Sequence, residues 1–228
     1  MLAPCVVLAC GGADEGSSSR ASSTRPLSAS LVDAVATFYD ADGSGNCSFD
    51  ESPEDLDVTA VAMAEYDGSA ACGACLHVTG PKGEVTVRVV DSCPSCDASG
   101  VNLDLSAQAF AKIAEPEQGR VEVSYRLVGC PTSGNVAYHF KDGSSKYWTA
   151  IQVRNHRVPI ASVDYRRDGA WIAMERADYN YFVESNGVGD QPGGLTLRVT
   201  ATDGQVIEDT LAGGVQADET ISGTKQFD

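Results

Sequence analysis

Apolar and polar residues alternate along much of the chain from residue 36 onward. "ACLHVTG", "EVTVRVVDS" and "RVEVSYRLVG" carry apolar side chains at every second position, the pattern of half-buried β-strands. Between the last two, "SAQAFAKIA" has helical spacing, with Ser106 placed as its N-cap. From 135 onward the pattern is strand alone, in "NVAYHF", "YWTAIQVRN", "IASVDYR", "AWIAME", "LTLRVTAT" and "QVIEDTL", separated by turns such as "KDGSS", "RRDGA" and "TDGQ". This regularity predicts a small immunoglobulin-like β-sandwich. The two patterns meet at "GCPTSG", residues 129 to 134, where Pro and Gly interrupt the alternation. The expected organisation is mainly β: a first domain over 34–130, a linker over 131–134 and the sandwich over 135–228. Trp171, in "DGAWIAM", follows the apolar alternation and is predicted to be buried.

The N-terminus differs from both domains. Residues 1–10 form a short apolar run ending at Cys10, and 11–33 are a Ser- and Gly-rich tether. The run is similar to a bacterial lipoprotein signal with Cys10 as the lipidated residue, so export is expected, with a lipid anchor at the cell surface as its tethered form. No other stretch approaches the ~18 apolar residues of a spanning helix.

The chain has 228 residues, 16 Lys plus Arg, 32 Asp plus Glu and a formal charge of −16. Nucleic acid and anionic membrane surfaces are thereby disfavoured as partners. The first 134 residues carry 7 basic and 19 acidic side chains and the rest 9 and 13, so neutral polymers suit the second domain better than acidic ones. His77, His139 and His156 are scattered, without a nucleophile motif, and read as solvated or strand-packed. With no phosphate loop or dinucleotide fingerprint either, no cofactor is expected.

Two motifs suggest metals. "DADGSGNCSFDE" fits the twelve-residue calcium loop of an EF-hand, with Asp40, Asp42 and Ser44 at the first ligand places, Gly45 at the turn and Glu51 last. Pro53 follows at once, "EDLDVTAVAM" has no helical stripe, and Cys47 stands where an apolar residue normally packs. A solvated acidic loop is the better reading. "CGAC" and "CPSC", 17 residues apart, fit a four-cysteine zinc ribbon. An exported chain meets an oxidising environment, and the ribbon would strand Cys47 and Cys130. Three disulfides among Cys47, Cys72, Cys75, Cys93, Cys96 and Cys130 are expected instead, with no metal.

"CGACLHVTGPKGEVTVRVVDSCPSC" followed by "LDLSAQAFAKIA" resembles the six-stranded double-psi β-barrel of expansins, barwin-like proteins and family 45 glycoside hydrolases. "SGNVAYHFKDGSSKYWTAIQVRNHRVPIASVDYRRDGAWIAMERADYNYF" is similar to the cellulose-binding domain of bacterial expansins. The resemblance covers about residues 34 to 225. It implies the pairs Cys47 with Cys72 and Cys75 with Cys130, leaving Cys93 with Cys96.

The resemblance also implies a site. Asp104, between Leu103 and Leu105, matches the general acid of the hydrolases, and alternation turns it away from the core. Asp91 is the second carboxylate of the expansin groove, acting with Thr37 and Tyr39. The hydrolases' base falls at Ala41, flanked by Asp40 and Asp42, and inverting hydrolysis needs two carboxyl groups about 6.5 to 9.5 Å apart. Expansins lack that base as well, and they carry a tyrosine where Cys93 stands. In the second domain Tyr147, Trp148 and Tyr179 match the aromatic platform, with Lys141 as a further contact. Adjacent residues on a regular strand face opposite sides, so Tyr147 and Trp148 share a surface only if the chain bends there.

The expectation is a monomeric, non-hydrolytic protein that binds and loosens plant cell-wall cellulose and related β-glucans. Xyloglucan and peptidoglycan are further polymers to consider. Rival readings are a weak endoglucanase, a peptidoglycan-lytic enzyme like rare lipoprotein A, and a lipid-tethered cellulose-binding adhesin.

Overall fold

The computed structural model describes residues 26–228, so the apolar run, Cys10 and the tether through residue 25 lie outside the described residues. Six strands form a closed barrel: β1 Val32–Tyr39, β2 Val58–Ala62, β3 Cys75–Thr79, β4 Glu84–Cys93, β5 Leu103–Ser106 and β6 Val121–Val128. Their order is β1-β5-β2-β4-β3-β6, with β1–β5 and β2–β4 parallel and β6 closing antiparallel onto β1. Closure removes the unpaired edges that an open six-stranded sheet would expose. Three short helices follow strand ends: α1 Met63–Tyr66, α2 Cys96–Ser99 and α3 Ala107–Ile113. Ser106 caps α3, accepting the Ala109 N–H at 3.0 Å, and the helix buries Ala109, Phe110 and Ile113 against the barrel.

β2 is the strand that alternation does not reveal. All five of its residues are buried. Val61 joins the barrel interior with Leu103, Leu105 and Val89, while Ala60 and Ala62 face the other way into a small cluster with Cys93, Cys96 and Val101. A strand covered on both faces has no reason to alternate. The barrel also begins before residue 34: β1 starts at Val32, Leu27 packs on the core, and the Leu127 N–H donates to the Ser28 carbonyl at 2.7 Å.

The second domain is a sandwich. Its strands are β7 Ala137–Phe140, β8 Thr149–Arg154, β9 Ile160–Arg167, β10 Ala170–Ala173, β11 Glu175–Arg176, β12 Phe182–Glu184, β13 Leu195–Ala201, β14 Val206–Leu211 and β15 Thr220–Ser222. One sheet runs β10-β9-β13-β14 and the other β11-β12-β8-β7-β15. Between them lie Tyr138, Phe140, Ile151, Tyr165, Phe182, Leu195 and Leu197. Trp171 is not in this core. On β10 it pairs with Arg166, while its neighbour Ile172 pairs with the buried Tyr165. Trp171 thus stands half-exposed on the outer face, between the guanidiniums of Arg166 and Arg198 at 5.5 and 4.7 Å from the ring centroid. An edge strand completes the apolar pattern without being covered on both sides.

Three disulfides, Cys47–Cys72, Cys75–Cys130 and Cys93–Cys96, take the pairings that the resemblance implies, so "CGAC" and "CPSC" do not converge as a ribbon. Cys75–Cys130 ties β3 to the chain just before the sandwich. The loop from Asp40 to Glu51 is flanked by β1 and by coil, not by helices.

The domains lock together through this loop. Gln152 of β8 donates to the Cys47 and Ser48 carbonyls at 2.8 and 3.2 Å, Asn180 donates to the Cys47 carbonyl at 3.1 Å, and Arg154 reaches Asp50 at 2.6 Å. Tyr66 of α1 shares its hydroxyl proton between the carbonyls of Asn46 and Asp178, at 3.0 and 2.8 Å.

His156 lies under the junction, 5% exposed, where a Cβ added to Gly73 would come within 2.5 Å of its ring. Burial pushes the imidazole down to about 4, with Arg176 and Arg88 adding and the Val158 carbonyl opposing. Below about pH 6.5 the unfolded chain takes up a proton that the native chain holds off. Stability therefore falls as pH drops from about 6.5 to about 4, by about 3 kcal/mol in total. His156→Gln should flatten this part of the acid limb; equal slopes in denaturant titrations of both proteins between pH 6.5 and 4.5 would contradict the assignment.

Candidate functional site

The β1–β5 and β2–β5 registers set one row of residues across the barrel's outer surface. Thr37 of β1 pairs with Asp104 of β5, Asp104 pairs with Ala60 of β2, and Ala60 pairs with Asp91 of β4. Residues in register share a face, so Thr37, Asp104 and Asp91 all look outward, with the small Ala60 as the floor between the two carboxylates. The four side chains come from parts of the sequence that only the crossed barrel topology brings together.

Each group in the row is oriented differently. The Thr37 hydroxyl donates to Asp104 Oδ1 at 2.6 Å, fixing that carboxyl group in the open groove. Asp91 Oδ1 accepts two backbone N–H groups, from Asn46 at 2.7 Å and Ser92 at 2.8 Å. Tyr39, two residues beyond Thr37, has a buried hydroxyl without a hydrogen-bond partner among the described residues. Burial, then the charges of Asp91, Asp104 and Asp42, push this phenol above its usual range, so it stays protonated and available as a donor. Buried polar groups are almost always satisfied in folded proteins, so this hydroxyl is an unused donor close to the charges of Asp91 and Asp104.

Position 41, between Asp40 and Asp42, is apolar and packed. Ala41 is 6% exposed and clusters with Val58 and Val90. Asp40 and Asp42 flank it on the exposed side, and Asp42 Oδ1 accepts both the backbone N–H and the hydroxyl of Ser44, bonds that hold its carboxyl below the usual range. Cys93 and its disulfide partner Cys96 form a buried cluster with Ala60, Ala62 and Val101, against which Tyr39 packs.

The sandwich presents its aromatics on the outer face and rim of the β11-β12-β8-β7-β15 sheet. The chain bends at the start of β8: the Ser145 N–H donates to the Trp148 carbonyl at 2.7 Å, and the regular strand begins only at Thr149. Trp148 alternates with Ala150 and Gln152, so it faces outward and is half-buried, while Tyr147 sits at the turn tip, 73% exposed. Tyr179 lies across the sheet, 5.8 Å from the ring of the buried Tyr181, and the Lys141 ammonium stands 5.4 Å from that same ring. Tyr181, a supporting ring, and Asn46, which orients Asp91, are members that sequence reasoning missed. "YNYF" alternates its aromatics and so marks Tyr181; no local signal marks Asn46.

One loop joins the two surfaces. Its Asn46 N–H holds Asp91, and its next residue, Cys47, accepts from Asn180, the neighbour of Tyr179. The barrel groove and the aromatic sheet therefore flank a shared, hydrogen-bonded seam.

The molecule thus combines a barrel bearing a carboxylate groove with a sandwich bearing an aromatic face. A family model described as lytic transglycolase matches residues 58–125, from β2 through most of β6. Expansin-YoaJ of Bacillus subtilis is 40% identical over 206 residues, covering 86% of this chain and 87% of its own, and Expansin-like protein 1 of Dictyostelium discoideum is 33% identical over 204 residues, covering 83% and 70%. The apo crystal structure of a Clavibacter michiganensis expansin superposes with a TM-score of 0.76 at 34% identity, covering 86% of this chain and 98% of that one. A mutant of that expansin, in complex with cellohexaose, gives a TM-score of 0.75. The chain belongs to the expansin family.

Proposed function

We propose that the protein binds cellulose through the aromatic face of its sandwich and loosens contacts between glucan chains with its barrel groove, without hydrolysing them. The observation that carries this reading is the state of the carboxylates. Inverting hydrolysis needs a free acid and a free base on opposite sides of the bond. Here Asp104 and Asp91 are both half-exposed with Oδ1 held by hydrogen bonds, and the position that the resemblance matches to the base is the buried Ala41. The related expansin in complex with cellohexaose supports a glucan as the ligand class. Tyr147, Trp148 and Tyr179 offer ring faces to the apolar C–H faces of glucose, and Lys141, Thr37, Tyr39 and Asp104 offer polar contacts to its hydroxyls.

Export fits the three disulfides, and a lipid at Cys10 would hold the protein at the cell surface. The test is a paired assay of creep in a stretched cellulosic wall and of reducing-sugar release. Creep without soluble sugar is expected. Steady release of cello-oligosaccharides, lost in both Asp104→Asn and Asp42→Ala, would make the protein a glycoside hydrolase instead.

A second reading has its own support: the lytic transglycolase match covers both Asp91 and Asp104. It requires turnover of purified peptidoglycan, read as falling turbidity, in the same preparation that fails to release cello-oligosaccharides.

A further inference from the structure

The Cys93–Cys96 disulfide stands against Asp104 of the groove, and the glucan reading gives its two sulfurs no part. Their ligand atoms, the two sulfurs and a carboxylate oxygen, all lie within 4.8 Å of one another, and the two Cα atoms are 5.3 Å apart. Tetrahedral zinc, bonded at about 2.3 Å to sulfur and about 2.1 Å to oxygen, needs its donors about 3.5 to 3.8 Å apart. Cys-x-x-Cys is also a spacing from which zinc is commonly bound.

Among the six bonded cysteines Cys93 is the most exposed, at 9%, with its partner Cys96 at 3%; Cys75 and Cys130 are at 4% and 7%, Cys47 and Cys72 at 0% and 3%. The Cys93–Cys96 bond closes a sequence separation of 3, against 25 and 55 for the others, so opening it releases the least unfolded-chain entropy and costs the fold least. The surroundings suit a metal as well. Thr37 holds the Asp104 carboxyl group by hydrogen bond, as partners of metal ligands do, and Ser95 Oγ lies 3.8 Å from Cys93 Sγ.

We infer that a thiol reductant converts this corner of the groove into a metal site in which Cys93, Cys96 and Asp104 bind one zinc-class divalent cation. Two reductant thiols give up two electrons and two protons and leave as a disulfide, and Cys93 and Cys96 take these up as two thiols. The cation then displaces both thiol protons. Two thiolates, one carboxylate and the divalent ion form a complex of single negative charge, with the fourth position open to the groove. A filled site withdraws Asp104 from glucan, a consequence that rests on the function proposed above; metal binding itself does not.

The experiment reduces the folded protein with a water-soluble phosphine, maps the freed thiols by alkylation and mass spectrometry, then titrates zinc, with cobalt as the spectroscopic probe. Cys93 and Cys96 should label first. One equivalent of zinc should bind to the reduced protein and none to the oxidised protein. Cobalt should give a thiolate charge-transfer band. Cys93→Ser and Asp104→Asn, reduced in the same way, should each lose stoichiometric binding, and Thr37→Val should weaken it about 10-fold. Undiminished zinc binding in either of the first two variants, binding by the oxidised protein, or first reduction at another disulfide would overturn the inference. No glucan is present in this titration, so its failure leaves the glucan reading standing.

Discussion

Asp104→Asn should abolish wall loosening while leaving cellulose retention unchanged. The substitution keeps the shape of the side chain, and the amide oxygen can still accept from Thr37 at the position Oδ1 now occupies. What it removes is the charge and the proton exchange of the carboxyl group, which an amide cannot reproduce. Retention survives because Tyr147, Trp148 and Tyr179 lie on the other domain. Stability should change by less than about 1 kcal/mol, since Asp104 is partly exposed and has one side-chain partner. Wall creep at the native rate in a folded Asp104→Asn protein would remove the groove from the mechanism and leave a cellulose-binding adhesin.

Trp148→Ala carries the second large effect, on affinity. The ring is half-buried at the base of a bent turn, so its ordering is already complete before a sugar stacks on it. A platform aromatic of this kind is worth about 2 kcal/mol, close to 30-fold in retention. Tyr147→Ala and Tyr179→Ala should each cost less, about 1 kcal/mol, since a smaller ring is removed. Trp171→Ala is the control. Its ring lies on the opposite sheet between two arginines, and losing two exposed cation–π contacts should lower stability by about 1 to 2 kcal/mol with retention intact. A pull-down on crystalline cellulose reads all four, and full retention by a folded Trp148→Ala protein would refute the platform.

How far the chain discloses itself depends on what each side chain meets locally. The strands with one wet face, such as β3, β6 and β13, announce themselves by alternation, because period-2 burial is written directly into residue order. The helix cap at Ser106 is equally local. The candidate acid Asp104 is legible for the same reason: one buried leucine on each side, Leu103 and Leu105, turns it outward.

β2 and the short strands β11, β12 and β15 escape, since burial on both faces or extreme shortness leaves no period to detect. Trp171 escapes in the opposite sense. Its alternation is real, yet which face is covered depends on the second sheet, and β10 is an edge.

The amino-acid sequence by itself determined the mainly β architecture, the break in alternation at residues 129 to 134 and the even cysteine count and, through likeness to the family, named the candidate residues of both surfaces. Only the tertiary structure decided that Thr37, Asp104, Ala60 and Asp91 stand in one row, that Asn46 holds Asp91, that Ala41 is packed away, and that the Cys93 and Cys96 sulfurs lie within 4.8 Å of an Asp104 oxygen. The physical reason is register. Local sequence dictates which way a side chain points relative to its own strand, whereas the neighbour it meets is set by pairings between residues 45 and 67 positions apart, antiparallel for β2–β5 and parallel for β1–β5, whose energy resides in the closed barrel as a whole.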